Sequence, residues 1–169
     1  MIITPLLVVF MLIVFILLFV FLNTVDKRKW LTFIISLVLT PFVYFYVFYP
    51  FVNIFSNHHH QKYFNSKAWV EKPALRYEMI DNIIESDTLI GLSKSKVEGL
   101  LGKYEWLSWD DSNKMHDENK WNYGLGIEPG AFNDQKEAVV LLFKEDKLAS
   151  LETYQEEITF ESKDEENSN

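Results

Sequence analysis

The sequence predicts an α+β protein: an N-terminal transmembrane helical hairpin, then a small domain of two helices and an antiparallel sheet of about four strands. Three observations carry this. Apolar bulk is segregated, with ten of the fourteen Phe before position 56. Charge is segregated as well. Residues 1–60 hold one acid (Asp26) and three bases (Lys27, Arg28, Lys29), a net of +2, whereas the other 109 residues hold 23 acids and 13 bases, a net of −10. Finally, beyond Pro73 the apolar residues recur first at helical and then at strand spacing. The mean hydropathy of −0.02 therefore averages two pieces suited to different solvents. Without a basic face the chain is no nucleic-acid binder, and without Cys it is no disulfide-stapled scaffold.

The first span is read at about residues 2–22. Ile2–Leu22 contains 21 residues and no charge, a helix of roughly 31 Å, which matches the hydrocarbon thickness of a bilayer. A cleaved signal peptide would carry basic residues ahead of a shorter apolar run and a small-residue cleavage site; the sequence has neither. The second span is read at about residues 30–54. Its first half is aliphatic and its second half is crowded with Tyr44, Phe45, Tyr46, Phe48, Tyr49 and Phe51, which suits the membrane–water interface. Pro41 predicts a kink. Lys27, Arg28 and Lys29 concentrate three cations in the loop between the spans and are the topology determinants. Such loops stay cytoplasmic, so both termini and the C-terminal domain are expected on the outer face of the cytoplasmic membrane. The Ser and Thr residues of the spans, among them Thr32, Ser36 and Thr40, can bond their own helix backbone, and no charged residue lies within a span. The hairpin therefore reads as an anchor and not as a transport pathway.

Residues 56–72 read as a juxtamembrane connector. Its His58-His59-His60 run lacks ligand spacing and reads as interfacial polarity. Pro73 is expected to open a helix carrying Leu75, Met79, Ile80, Ile83 and Ile84 on one stripe, ended by Ser86-Asp87. Ser93 is a candidate N-cap for a second, short helix bearing Val97, Leu100 and Leu101 on one side, with Gly102 as its stop. Strands are expected at 104–109, 121–127, 138–144 and 147–154, the last two joined by a tight Glu145-Asp146 hairpin. Asp110–Asn119 reads as a polar loop. The folded domain is bounded at 73–155, and the acidic tail, 156–169, is expected to be disordered.

The stretch Leu89-Ile-Gly91-Leu-Ser93-Lys-Ser-Lys-Val97-Glu-Gly-Leu100-Leu101-Gly102 resembles the "G-x-S/T-x-x-x-V-x-x-L-L-G" helix of the SmpA/OmlA-type domain. Trp121-Asn-Tyr123 resembles that family's aromatic strand, and Val140–Leu148 its closing hairpin. The resemblance covers roughly residues 76–154. It implies the compact helix-helix-sheet fold shared with β-lactamase-inhibitory proteins and with the small lipoprotein of the outer-membrane barrel-assembly machinery. Those lipoproteins are attached through a lipidated Cys; this chain has no Cys and carries two apolar helices instead.

No catalytic pattern is present. There is no Cys nucleophile, no G-x-S-x-G elbow and no phosphate-cradling glycine loop. Asp110, Asp111 and His116 form the only polar cluster with a His, and they are the residues a cation would have to use. No ligand-spaced loop surrounds them, so neither a metal nor another cofactor is expected. Trp106, Trp109, Trp121 and Tyr123 fall on neighbouring expected strands and are either core or a protein-binding surface. Trp106 and Trp109, three apart, should face opposite sides. The expected function is a non-catalytic, membrane-anchored interaction module of the bacterial cell envelope. Its partners are the lipid bilayer and another envelope or membrane protein. The alternative is an accessory subunit of a transporter or other membrane complex, packing through the hairpin.

Overall fold

The computed structural model describes residues 1–157, so residues 158–169 of the expected acidic tail lie outside the described chain. The fold is α+β, as the sequence predicts, and it forms two compact units. One comprises Met1–Gln61 together with Pro129–Phe132; the other comprises Lys62–Glu128 and the chain from Asn133 onward.

In the first unit, α1 spans Pro5–Val25. Thr4 caps it, its Oγ1 accepting the Leu7 N–H at 3.3 Å, and Pro5 occupies the first turn, where a missing N–H costs nothing. The second apolar stretch begins as α2, Lys29–Val43, widens into a π-helical turn over Tyr44–Phe48 and ends as α3, Tyr49–Val52. The wide turn begins three residues after Pro41, whose ring removes one backbone donor, and it is where the helix accommodates that loss. The buried residues of α2 are polar: Thr32, Ser36 and Thr40, one helical stripe. Each hydroxyl is satisfied without water. Thr40 donates to the Ser36 carbonyl and Ser36 to the Thr32 carbonyl, both at 2.7 Å, while Thr32 donates to Asn23 Oδ1 of α1 at 2.8 Å. Small side chains on the seam let the backbones approach, and bulky apolar ones are left facing outward. With mean hydropathies of 3.3 and 2.1 over an 18-residue stretch within Pro5–Val25 and within Lys29–Val52, both helices are long and apolar enough to cross a membrane.

The histidine run does not stand free. Tyr44 is fully buried and its hydroxyl lies 3.0 Å from His60 Nε2. The His60 ring packs on Tyr49 with centroids 4.4 Å apart, and His58 meets Phe10 edge-on at 5.3 Å.

The second unit opens with a helix that the sequence reading leaves inside the connector: α4, Ser66–Glu71, capped by Asn65, whose Oδ1 accepts the Ala68 N–H at 2.9 Å. It delivers Trp69 into the core, fully buried and edge-on to Phe64 and Tyr123. A six-residue helix that buries only one side chain is too short for periodicity to register. Pro73 does not start the next helix; it starts a turn, and α5 runs Tyr77–Ser86, burying Tyr77, Met79, Ile80 and Ile83. Asp87, in left-handed geometry, ends it. Helix α6, Lys94–Leu101, buries Val97 and Leu101. Ser93 takes the extended N-cap conformation, although its hydroxyl pairs with Ser95 and not with the backbone.

Four strands follow: β1 (Trp106–Asp110), β2 (Met115–Gly126), β3 (Gln135–Lys144) and β4 (Lys147–Glu157). They form one antiparallel meander in the order β1-β2-β3-β4. Trp121, Tyr123 and Leu125 of β2, with Val139, Leu141 and Phe143 of β3, turn to the helices and build the core. The expected loop Asp110–Asn119 shrinks to residues 111–114, because the register pairs Asp110 with Met115 and Trp109 with His116. Polar residues on both faces concealed that part of the strand. Glu145 and Asp146 both adopt positive φ, 50° and 62°, as a two-residue hairpin turn requires. At the other end of β2, Gly126 sits at φ 101°, and a Cβ there would meet the Ala74 carbonyl oxygen at 2.3 Å. No larger residue fits.

Trp69→Ala should therefore destabilise the second unit by about 3–5 kcal/mol, as loss of a core aromatic does. Tyr63→Ala, at a residue 67% exposed, should stay within about 0.5 kcal/mol. Denaturant unfolding of the detergent-solubilised protein checks both; equal effects would return Trp69 to a connector.

Candidate interaction surface

The helices cover one face of the sheet, which leaves the other open. Strand alternation sends Asn122 and Gly124 of β2, Ala138 and Val140 of β3 and Tyr154 of β4 to that open face, beside Trp106 and Ser108 of β1. A polar network ties it together. Asn122, 1% exposed, donates from Nδ2 to Ser108 Oγ at 3.0 Å and to the Trp106 carbonyl at 3.3 Å, while its Oδ1 accepts the Tyr154 hydroxyl at 3.0 Å. Partial burial, with Glu156 nearby, raises the Tyr154 phenol above its ordinary pKa, so it stays a donor at neutral pH.

Gly124 and Ala138 are register partners and too small to fill the space above them. A hollow of about 580 Å³ results, lined by Pro73, Ala74, Trp106, Gly124, Ile127 and Ala138 and edged by carboxylates and Lys136. Its wall is fixed by Arg76, 6% exposed. Arg76 Nε donates to the Trp69 carbonyl at 2.9 Å; Nη1 donates to Glu105 Oε1 at 2.6 Å and to the Gly124 carbonyl at 2.9 Å. Glu105 uses its other oxygen to accept the Gly124 N–H at 2.8 Å. The guanidinium lies over the Trp69 and Tyr123 rings, 5.1 and 5.7 Å from their centroids. Burial pushes the Tyr123 phenol far up, an effect the nearby Arg76 charge opposes. Sequence reasoning missed Arg76. Its one visible signal is that it is the only Arg beyond residue 28 in a chain that otherwise uses Lys.

The four aromatics read as core or surface divide. Trp121, 6% exposed, and Tyr123, 0%, are core and offer no surface. Trp106, 36% exposed, flanks the hollow, while Trp109, 54% exposed, packs edge-on against His116 at 5.3 Å. A register shift between Leu107 and Trp109 interrupts the strict alternation assumed for Trp106 and Trp109.

Asp110, Asp111 and His116 do not converge. Asp110 serves its own turn, accepting from the Ser112 N–H at 2.9 Å and from Asn113 Nδ2 at 2.7 Å, and His116 is a strand residue packed edge-on against Trp109. Among the described residues no three His, Asp or Glu side chains come together as a metal-ligand set. Of the three cations between the apolar helices, Arg28 is paired with Asp26 at 2.9 Å, and Lys29 begins α2.

The hydrogen bond from Asn113, then that from Ser112, holds the Asp110 carboxyl below its ordinary value of 3.8. A carboxyl lowered in the folded state stabilises above its unfolded value and loses that contribution as pH falls through the folded one. An NMR titration of Asp110 should therefore have its midpoint below 3.8, and Asn113→Ala should raise it. Tyr154→Phe leaves the buried Asn122 carbonyl short of a donor and should cost about 1–2 kcal/mol in denaturant unfolding. Comparison with family models, with curated proteins and with solved structures returns no match for this chain.

Proposed function

We propose that the protein is a non-catalytic interaction module of the bacterial cell envelope, held in the cytoplasmic membrane by a two-span hairpin, with the second unit on the outer side. In this reading the domain is of SmpA/OmlA type, and its partner is another envelope or membrane protein. The observation that carries the reading is the open sheet face: a fixed hollow beside a half-exposed Trp106, with a polar network beneath it, on a chain whose N-terminal helices are long and apolar enough to cross a membrane. Exposed aromatics next to a preformed hollow are what protein partners use as anchor points. The orientation rests on Lys27, Arg28 and Lys29 in the short loop between the helices. No triad, paired-carboxylate or ligand-spaced pattern in the sequence supports an enzyme.

A photo-crosslinking residue in place of Trp106, activated in intact cells, should capture one reproducible partner, and the same residue at Leu151, packed against the core, should not. Absence of any reproducible product at Trp106 would refute the reading. A reporter fused after Asn169 should be active only outside the cytoplasm; cytoplasmic activity would reverse the orientation. Replacing the hairpin with an unrelated two-helix anchor should leave the Trp106 product intact, whereas its loss would favour the accessory-subunit role.

A further inference from the structure

The loop between β2 and β3 carries a feature that neither the core nor the hollow uses. Its tip, Pro129-Gly130-Ala131-Phe132, belongs to the same compact unit as the apolar helices. Ala131 donates its N–H to the Asn53 carbonyl at 2.9 Å, and Asn53 is the residue directly after the last helical residue of the second apolar stretch, Val52. The same end of that stretch exposes Phe51, Ile54 and Phe55 at 58%, 41% and 77%. Phe132, next to the docked Ala131, is 84% exposed, the highest value among the large apolar side chains of the described residues. An aromatic ring left bare in water gains nothing from its position; a ring level with the end of a membrane span lies at the interface, where aromatic residues are favoured.

We infer that the Pro129–Phe132 tip is a third membrane contact: Phe132 enters the interfacial layer of the bilayer beside Phe51, Ile54 and Phe55. The occupant of this apolar patch is lipid, because the patch continues the surface of a span and its backbone is tied to the span's end. The charges limit the depth. Glu128 and Asp134 bracket the tip, so only the five uncharged residues 129–133 can enter before a carboxylate would be drawn out of water. The base of the loop is held closed by Asn133, whose Nδ2 donates to the Glu128 carbonyl at 3.0 Å.

This inference rests on the hairpin spanning a membrane, and the test separates the two. The chain has no Cys, so a single introduced Cys takes an environment-sensitive fluorophore (NBD) without background. The full-length protein is reconstituted into phosphatidylcholine vesicles, with labels at Leu17→Cys in α1, at Phe132→Cys, at Gly130→Cys with Phe132 retained, and at Asn113→Cys in the β1–β2 turn. The Leu17 label should be blue-shifted and strongly quenched by lipids brominated on the acyl chain. The Phe132 and Gly130 labels should be blue-shifted and quenched to a smaller extent, and the Asn113 label should emit as in water. Adding Phe132→Ser to the Gly130 label should return its emission to the aqueous value. If the Leu17 label responds to brominated lipid and both tip labels do not, the third contact is overturned and the anchor stands. A blue-shifted tip label that brominated lipid does not quench means that protein covers the patch, which also overturns it. An aqueous Leu17 label would overturn the span itself.

Discussion

The second unit depends on one buried guanidinium. Arg76 sits in the turn between α4 and α5, and its fork reaches the last turn of α4 through the Trp69 carbonyl, the entry to β1 through Glu105 and the open-face edge of β2 through Gly124. No apolar side chain could do this, because the Trp69 and Gly124 carbonyls need a donor and the part-exposed Glu105 carboxylate needs a cation. Lys could not do it either. A single ammonium does not span three acceptors in fixed geometry while lying flat on Trp69 and Tyr123. Charge and packing are solved together: the cation is neutralised by Glu105, and its planar surface completes the aromatic core.

The same contact shapes the candidate surface. Arg76 and Glu105 grip Gly124 from its carbonyl and its N–H, which fixes the β2 backbone where the strand is narrowest. With Gly124 and Ala138 paired there, the open face cannot fill itself, and the hollow beside Trp106 follows. The Ser108–Asn122–Tyr154 network then supplies polar groups whose partners are already satisfied, so the face is preorganised and costs little to dock against. In the first unit, polarity runs the other way round: Thr32, Ser36 and Thr40 hide on the helix seam and apolar bulk turns outward, the arrangement expected where the surroundings are lipid.

How much of this could be read in the sequence follows from length and periodicity. The two apolar helices were legible because each is a local pattern longer than one turn, and so was most of the expected stripe, of which Met79, Ile80 and Ile83 are buried while Leu75 precedes the helix and Ile84 is exposed. The strand order was legible from turn chemistry, above all the Glu145-Asp146 hairpin. Helix α4 was not, since its six residues bury only Trp69. Nor was the first half of β2, where Asp117, Glu118 and Asn119 look like a loop and are held in the ladder by their neighbours. The site was the least legible part. Four aromatics on adjacent strands carry no local sign of which face they take, and only the register sent Tyr123 inward and left Trp106 beside the hollow. Arg76 showed no periodic signal at all, because what it does is long-range: its partners lie up to 48 positions away.

The most direct test of this account is the stability of Arg76→Met, a substitution that keeps much of the side-chain bulk and removes the fork. Followed by tryptophan fluorescence in denaturant, the variant should lose roughly 3 kcal/mol or more, because the Trp69 and Gly124 carbonyls lose their donor and Glu105 loses its cation, keeping only the Gly124 N–H. Open-face residues around Trp106 and Tyr154 should then show altered NMR shifts. A variant as stable as the parent, with the Trp106 face unperturbed, would contradict the claim that this single cation organises the domain and its surface.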